Sequence, residues 1–358
     1  MTHTSAPPFP GKSPDLLPLG DGLNFSTPLG QVEGTVVPTP LFFLRSNNPV
    51  PSINPATWRL DVQGRVKKPL RVGLADLQAL PSETHEVWLE CAGNSRRRWN
   101  PAAEGNQWDD QAVSNAVFRG VPLRILLEQA SVEPDATELV TSGADADNET
   151  ESGVFQRGLP LEVARLPGVI LAYEMNGQPL PGANGGPVRL LVPGWAGIAS
   201  VKWPVRMEVT AQPFDGYYNA QRYIMVDANG RTQRTVRQMP VKSVIAWPAE
   251  GETLPPGPCT LFGFAWSGYG PIERVEVSLD DNDDEPRTWR PARLVRGSGP
   301  LAWTRWEFDW SAPAGQRVRL GVRAADAAGN VQPAQAGWNR FGYEQNAIAV
   351  RALQVRAS

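Results

Sequence analysis

Cysteine and histidine are scarce in this chain: two of each in 358 residues. A disulfide scaffold is excluded, because Cys91 and Cys259 stand far apart in unlike contexts and small secreted frameworks need several paired cysteines. A reducing compartment fits that usage. The scarcity argues equally against a multi-histidine zinc site and against a haem domain, since neither His3 nor His85 belongs to a CxxCH motif. Charge of one sign is also missing. Thirty-four basic residues against 37 acidic ones leave a formal net charge of -3, which speaks against a general binder of nucleic acid or of membrane surfaces. No apolar run approaches the length of a bilayer span, and Met1 to Gly11 has no basic stretch followed by an apolar core. For the chain as written the expected location is the cytoplasm, or the periplasm if a leader was removed.

What is abundant is proline (35), glycine (34) and tryptophan (13), in a chain too long for one comfortable core. An α+β organisation in two domains is expected. Residues 1–40, rich in Pro and Gly, read as an extended arm. Residues 41–235 mix strands with short helices. The expected strands are Trp58 to Val62, Val87 to Leu89, Glu138 to Thr141, Val169 to Tyr173, Val188 to Pro193 and Val201 to Thr210. The expected helices are Leu74 to Leu80, Pro160 to Arg165, and Arg124 to Ala130 following Val121-Pro122-Leu123, with apolar residues at 123, 126 and 127. Residues 236–358 turn to short strands between turn residues, the texture of an all-β sandwich: Val241 to Ala246, Cys259 to Trp266, Ile272 to Leu279, Trp303 to Trp310 and Val318 to Ala324. Cys259 falls inside such a strand and reads as core. Asp280 to Glu285 is an acidic hairpin tip, read as a solvated turn because no EF-hand spacing accompanies it.

One short run concentrates reactive chemistry. Glu90-Cys91-Ala92-Gly93-Asn94-Ser95-Arg96-Arg97-Arg98-Trp99 sets three arginines close behind a cysteine. Guanidinium charges stabilise a thiolate, the form of cysteine that ligates soft metals, and they also attract an anionic substrate. The same residues could be a buried small hydrophobe beside a solvated turn.

The wider sequence resembles the sulfite oxidase family of molybdenum enzymes. The resemblance is carried by ordered blocks: Phe43-Leu44-Arg45-Ser46-Asn47 leading to Pro49-Val50-Pro51; Glu90 to Arg96; Leu171-Ala172-Tyr173-Glu174-Met175-Asn176-Gly177; Gly186-Pro187-Val188-Arg189 to Pro193-Gly194; and Val201-Lys202-Trp203. Ala265-Trp266-Ser267-Gly268, Arg323 to Asn330 and Trp338-Asn339 resemble that family's dimerisation domain. The resemblance implies a molybdopterin-binding domain followed by an immunoglobulin-like sandwich, and a homodimer. It implies molybdenum held by a pyranopterin and by Cys91, without a haem. It further implies oxidation of sulfite to sulfate, with electrons passed to an external acceptor such as a c-type cytochrome or oxygen. A related reductase of nitrate or a sulfoxide is the alternative, and a non-catalytic binding protein a more distant one.

Residue by residue, the resemblance places Arg45, Arg96 and Trp108 at the substrate, with Tyr223 as the active-site tyrosine and Tyr218 as its alternative. It places Arg45, Asn47, Asp145, Asn184, Arg189, Ser200, Val201 and Lys202 around the pterin and its phosphate. The chain also departs from the pattern. Asn47, Asn184 and Ser200 stand where the family has histidines, and Phe341 stands where an arginine is expected. Asparagine donates and accepts hydrogen bonds but cannot become cationic near neutral pH, so a less positive cofactor environment and an altered substrate preference are expected.

Overall fold

The structure is a computed structural model that describes residues 9–20, 22–280 and 288–357. The solvated-turn reading of Asp280 to Glu285 falls almost wholly outside the described residues, as do His3 and most of Met1 to Gly11.

The sheet that leads to the candidate site is organised around Val113–Pro122, which pairs antiparallel with Glu83–Glu90 on one side and with Ile170–Met175 on the other. Gln178–Pro179 and Arg189–Leu191 add to Ile170–Met175. A second sheet runs in the order Leu70–Gly73, Arg59–Gly64, Pro204–Thr210, Glu138–Ala146, Val154–Pro160. Its single parallel pair joins Arg59–Gly64 to Pro204–Thr210, strands so distant in sequence that no hairpin constrains their direction. The helix Leu123–Ala130 buries Leu123, Leu126, Leu127 and Ala130. That i, i+3, i+4, i+7 stripe is the face a 3.6-residue period puts on one side.

Among its described residues the C-terminal half is all strand and turn. Lys242–Trp247, Gly257–Trp266, Thr304–Ala312 and Arg293–Arg296 form one sheet. Thr253–Leu254, Ala349–Val355, Arg317–Asp326, Ile272–Asp280 and Arg290–Pro291 form the other. Their facing side chains, among them Leu261, Val277, Trp306, Leu320 and Val322, make a separate apolar core. The arm is tied to both halves: Trp303 donates its indole N–H to the Thr35 carbonyl at 2.6 Å, and Asn115 donates to the same oxygen at 2.9 Å.

Several boundaries differ from the sequence expectations. Val201 to Thr210 becomes a strand only from Pro204, because Val201 and Lys202 belong to a loop that lines the candidate site. The strands Val113–Pro122, Val154–Pro160, Arg293–Arg296 and Ala349–Val355 carry no expectation in the sequence reading. Val113–Pro122 is covered on both faces, so it lacks the alternation that marks a half-buried strand. Its polar Ser114 and Asn115 are buried because each has defined partners, Thr27 and Glu86 respectively. Cys259 is a correction. It is half-buried rather than core, packed at the margin of the C-terminal core near the start of its strand.

Candidate active site

The Glu83–Glu90 strand ends where Cys91 begins a tight loop. Cys91 donates its amide to the Ala112 carbonyl at 2.9 Å and accepts the Asn94 amide at 2.9 Å. Asn94 in turn accepts the Ala112 amide at 3.0 Å and donates to Glu90 Oε1 at 2.9 Å. Glu90 is completely buried, and its carboxylate also accepts Lys242 Nζ at 2.9 Å and Trp266 Nε1 at 2.8 Å. Both of those donors come from the C-terminal sandwich. The loop carrying Cys91 is therefore held from beneath by charged and neutral hydrogen bonds that leave the thiol facing a cavity.

The arginine triplet does not act as a unit. Arg96 turns inward, Arg97 is exposed, and Arg98 pairs with Asp110. Arg96 donates Nε to the Phe341 carbonyl at 2.8 Å and Nη1 to the Asn106 carbonyl at 2.7 Å. Its guanidinium stands 5.3 Å from the Tyr343 ring centroid. Burial lowers its pKa, opposed by the Cys91, Tyr343 and Tyr223 side chains. Room for this inward turn depends on Gly93, where an added Cβ would lie 2.3 Å from Arg96 Nη2.

Two cavities meet at this loop. Counting the space open to solvent at their mouths, the larger spans about 750 Å³ and the smaller about 330 Å³. Arg45, Cys91 and Tyr223 line both. The larger cavity is also lined by Asn47, Asp145, Asn184, Arg189, Ser200, Val201 and Lys202. Arg96 lines the smaller one. Trp108 lines neither: it is fully buried behind the Cys91 loop, its carbonyl accepting the Arg97 amide at 3.1 Å. Of the two tyrosines, Tyr218 donates its hydroxyl to Asp147 at 2.6 Å and stays outside both linings, whereas Tyr223 stacks on Tyr343 at 5.1 Å and 13°. The sequence reading missed Arg222, Asn106 and Tyr343, all on the smaller cavity. The signal for Arg222 was its place beside Tyr223. Tyr343 lies just beyond the Trp338-Asn339 block.

Two cations of the larger cavity, Arg189 and Lys202, form no ion pair among the described residues. An isolated bridge sets Arg189 against Lys202. Arg189 donates to the Asn184 and Ser200 carbonyls, each at 2.9 Å, while its buried Nε has no partner. Burial pulls its pKa down to about 9. Lys202 contacts Ser46 Oγ and lies 4.2 Å from the Trp203 ring. Desolvation, and then the Arg189 charge, holds it well below the ordinary lysine value. Asp145 is the acidic exception in the lining; its carboxyl is raised by burial, against a 3.1 Å hydrogen bond from Asn48. A cavity with two desolvated cations, Arg189 and Lys202, that have no ion-pair partner among the described residues is suited to a phosphate-bearing ligand. Among the described residues no three His, Cys, Asp or Glu side chains converge to hold a metal ion. A metal bound at Cys91 would therefore take its other ligands from a non-protein chelate, and on both counts the residues fit a molybdopterin.

Comparison with known proteins gives the same picture. The family model "Oxidoreductase molybdopterin binding domain" matches residues 47–218, and "Mo-co oxidoreductase dimerisation domain" matches residues 233–353. The mitochondrial sulfite oxidase of Homo sapiens is 36% identical over 339 residues, covering 88% of this chain and 61% of that protein. The sulfite oxidase of Gallus gallus is 34% identical over 334 residues, covering 87% of this chain and 71% of that protein. A nitrate reductase of Solanum lycopersicum is 32% identical over 360 residues, covering 90% of this chain and 39% of that protein. The chain thus spans about three fifths of the length of the human protein it matches. Among solved structures, the sulfane dehydrogenase SoxCD from Paracoccus pantotrophus matches with a TM-score of 0.84 and 31% identity, covering 96% of this chain and 87% of that one. With these matches spanning both halves, the chain belongs to the sulfite oxidase family of molybdopterin-dependent oxidoreductases.

Proposed function

We propose that this chain oxidises sulfite to sulfate with a molybdopterin cofactor and passes the electrons to an external acceptor, a c-type cytochrome or oxygen. The observation that carries the reading is the meeting of Cys91, Arg45 and Tyr223 on the wall shared by a cation-rich cavity and a smaller arginine-lined one. Overall, sulfite and one water give sulfate, two protons and two electrons. When bound, the cofactor supplies the oxygen-transfer and two-electron redox chemistry.

The protein's part is binding, orientation and electrostatics. The Cys91 thiolate would ligate the molybdenum, matching the preference of thiolates for soft centres. Arg189, Lys202 and the Ser200-Val201 backbone would hold the pterin phosphate, with Asn47, Asn184 and Asp145 on its polar edges. Arg45 would face both the cofactor and the substrate. Arg96 would fix a sulfite oxygen by charge, and Tyr223 would donate its phenolic proton to one. Trp108 would serve by packing behind the loop. The dimerisation domain supports a homodimer, which sedimentation at several concentrations would test.

Purified holoenzyme should reduce ferricyanide or cytochrome c in the presence of sulfite. Absence of turnover with full molybdenum loading would reject the proposal. A second reading is favoured by Phe341, which stands where the family's arginine is expected, and by the likeness to a sulfane dehydrogenase and to nitrate reductases. Under that reading, thiosulfate oxidation, or reduction of nitrate or a sulfoxide by reduced viologen, would outpace sulfite oxidation in parallel assays.

A further inference from the structure

The smaller cavity contains a guanidinium that no expectation from the sequence assigned. Arg222 lines it together with Arg45 and Arg96. Arg96 spends two of its donors on protein carbonyls, and Arg45 contacts Asn24, Ser46 and Asn47. The Arg222 side chain differs, because among the described residues its guanidinium has no hydrogen-bond or ion-pair partner. The carboxylates of the adjoining C-terminal and cavity-rim segments are committed elsewhere, Glu344 to Arg234 and Glu104 to Arg340.

Its position is nevertheless well determined. The Arg222 amide donates to the Tyr217 carbonyl at 2.9 Å, and its carbonyl accepts the Tyr343 hydroxyl at 3.1 Å. The guanidinium carbon lies 5.0 Å over the Phe341 ring, an arrangement that fixes the plane of the group without using any of its N–H donors. Phe341 also offers its carbonyl to Arg96. One aromatic residue thus orients two cavity arginines, one through its backbone and one through its ring.

We propose that Arg222 is a specificity-determining anion contact of the smaller cavity, supplying from the Gln221-Arg222-Tyr223 segment the positive charge that Phe341 cannot supply from the C-terminal half. The ligand class is a small sulfur oxyanion carrying more than one charged oxygen, because three guanidinium groups converge on a wall that, among the described residues, carries no carboxylate. This assignment rests on the oxyanion reading of the cavity given above. It deepens that reading by naming a residue through which charge is recognised.

The test separates binding from turnover. Sulfate is titrated calorimetrically into the holoenzyme as wild type, Arg222→Met, Arg222→Lys and Arg340→Met. Arg340 also stacks on Phe341, at 5.5 Å, but does not line the cavity. Arg222→Met should weaken sulfate about tenfold or more, as expected for losing a charge-assisted hydrogen bond. Arg222→Lys should retain part of the affinity, and Arg340→Met should match wild type. In sulfite assays the Met variant should raise KM with a smaller change in kcat. Sulfate affinity of Arg222→Met within twofold of wild type, or no sulfate binding by wild type, overturns the assignment. An enzyme that fails to oxidise sulfite yet shows the Arg222-dependent binding supports the assignment while the proposed reaction falls.

Discussion

Glu90 and Lys242 meet at 2.9 Å with both side chains almost wholly removed from solvent, joining the strand that ends just before Cys91 to the first strand of the C-terminal sandwich. The loop that holds Cys91 therefore depends on a residue from the other half of the chain. Glu90 is also held by Asn94 and Trp266, so its lone pairs are well used. Removing one partner of a buried ion pair leaves an uncompensated charge, which costs about 3–5 kcal/mol. Lys242→Met should accordingly lower stability by about that amount in urea unfolding. The double variant with Glu90→Gln should recover part of it, giving a clear coupling energy in a double-mutant cycle. Additive losses would show that the pair does not couple.

Cys91→Ser should leave the fold intact, since the oxygen fits the space of the sulfur and the loop is built from backbone and Asn94 hydrogen bonds. Turnover should fall to background. X-ray absorption should lose the protein sulfur from the molybdenum environment while the pterin sulfurs remain. An unchanged absorption spectrum would refute Cys91 as the ligand.

Gly93→Ala should act through Arg96. The new methyl group would meet the guanidinium at 2.3 Å, far inside van der Waals contact, so Arg96 must leave its carbonyl partners on Phe341 and Asn106. Overpacking of this kind costs about 1–3 kcal/mol. Thermal unfolding should register the loss, and sulfate affinity should fall with it. A variant with wild-type sulfate affinity would mean that Arg96 does not hold the anion.

A pH effect is expected at Lys12. Its ammonium is buried and donates to the Thr39 and Phe42 carbonyls at 2.7 and 2.8 Å and to Asn184 Oδ1 at 3.3 Å. Desolvation pulls its pKa from 10.5 down to about 7. Between those values the unfolded chain binds more protons than the folded one at this site, so its contribution makes stability rise with pH across that window. Below about 7 the penalty is constant. Lys12→Met should flatten the slope relative to wild type when urea midpoints are compared from pH 7 to 10. Parallel curves would remove Lys12 as the source.

The cysteine run was legible because its chemistry is local: one thiol followed closely by guanidinium groups stands out in a chain poor in both cysteine and histidine. The roles expected of Arg45, Arg189 and Lys202 came only from the family resemblance of the blocks around them, since by local chemistry each reads as an ordinary surface or strand residue. The helix Leu123–Ala130 and most of the sandwich strands follow from periodicity, which sequence states directly. Val113–Pro122 was not readable, because burial on both faces removes the alternation. Nor could sequence say that Arg96, Arg97 and Arg98 part company, since their directions depend on Gly93, Asp110 and the Phe341 carbonyl.

By itself, then, the order of residues determined the two-part organisation and the family and singled out Cys91 as a candidate, because these rest on composition and on short motifs kept in order along the chain. Only the tertiary structure decided which side chains share a wall. Tyr223 rather than Tyr218 reaches both cavities, Trp108 retreats behind the loop, and Arg222 and Tyr343 arrive at the smaller cavity from segments more than a hundred residues apart in the numbering. The physical reason is that these placements are settled by long-range packing and by which buried donors find acceptors, and neither is written in any local stretch of chain.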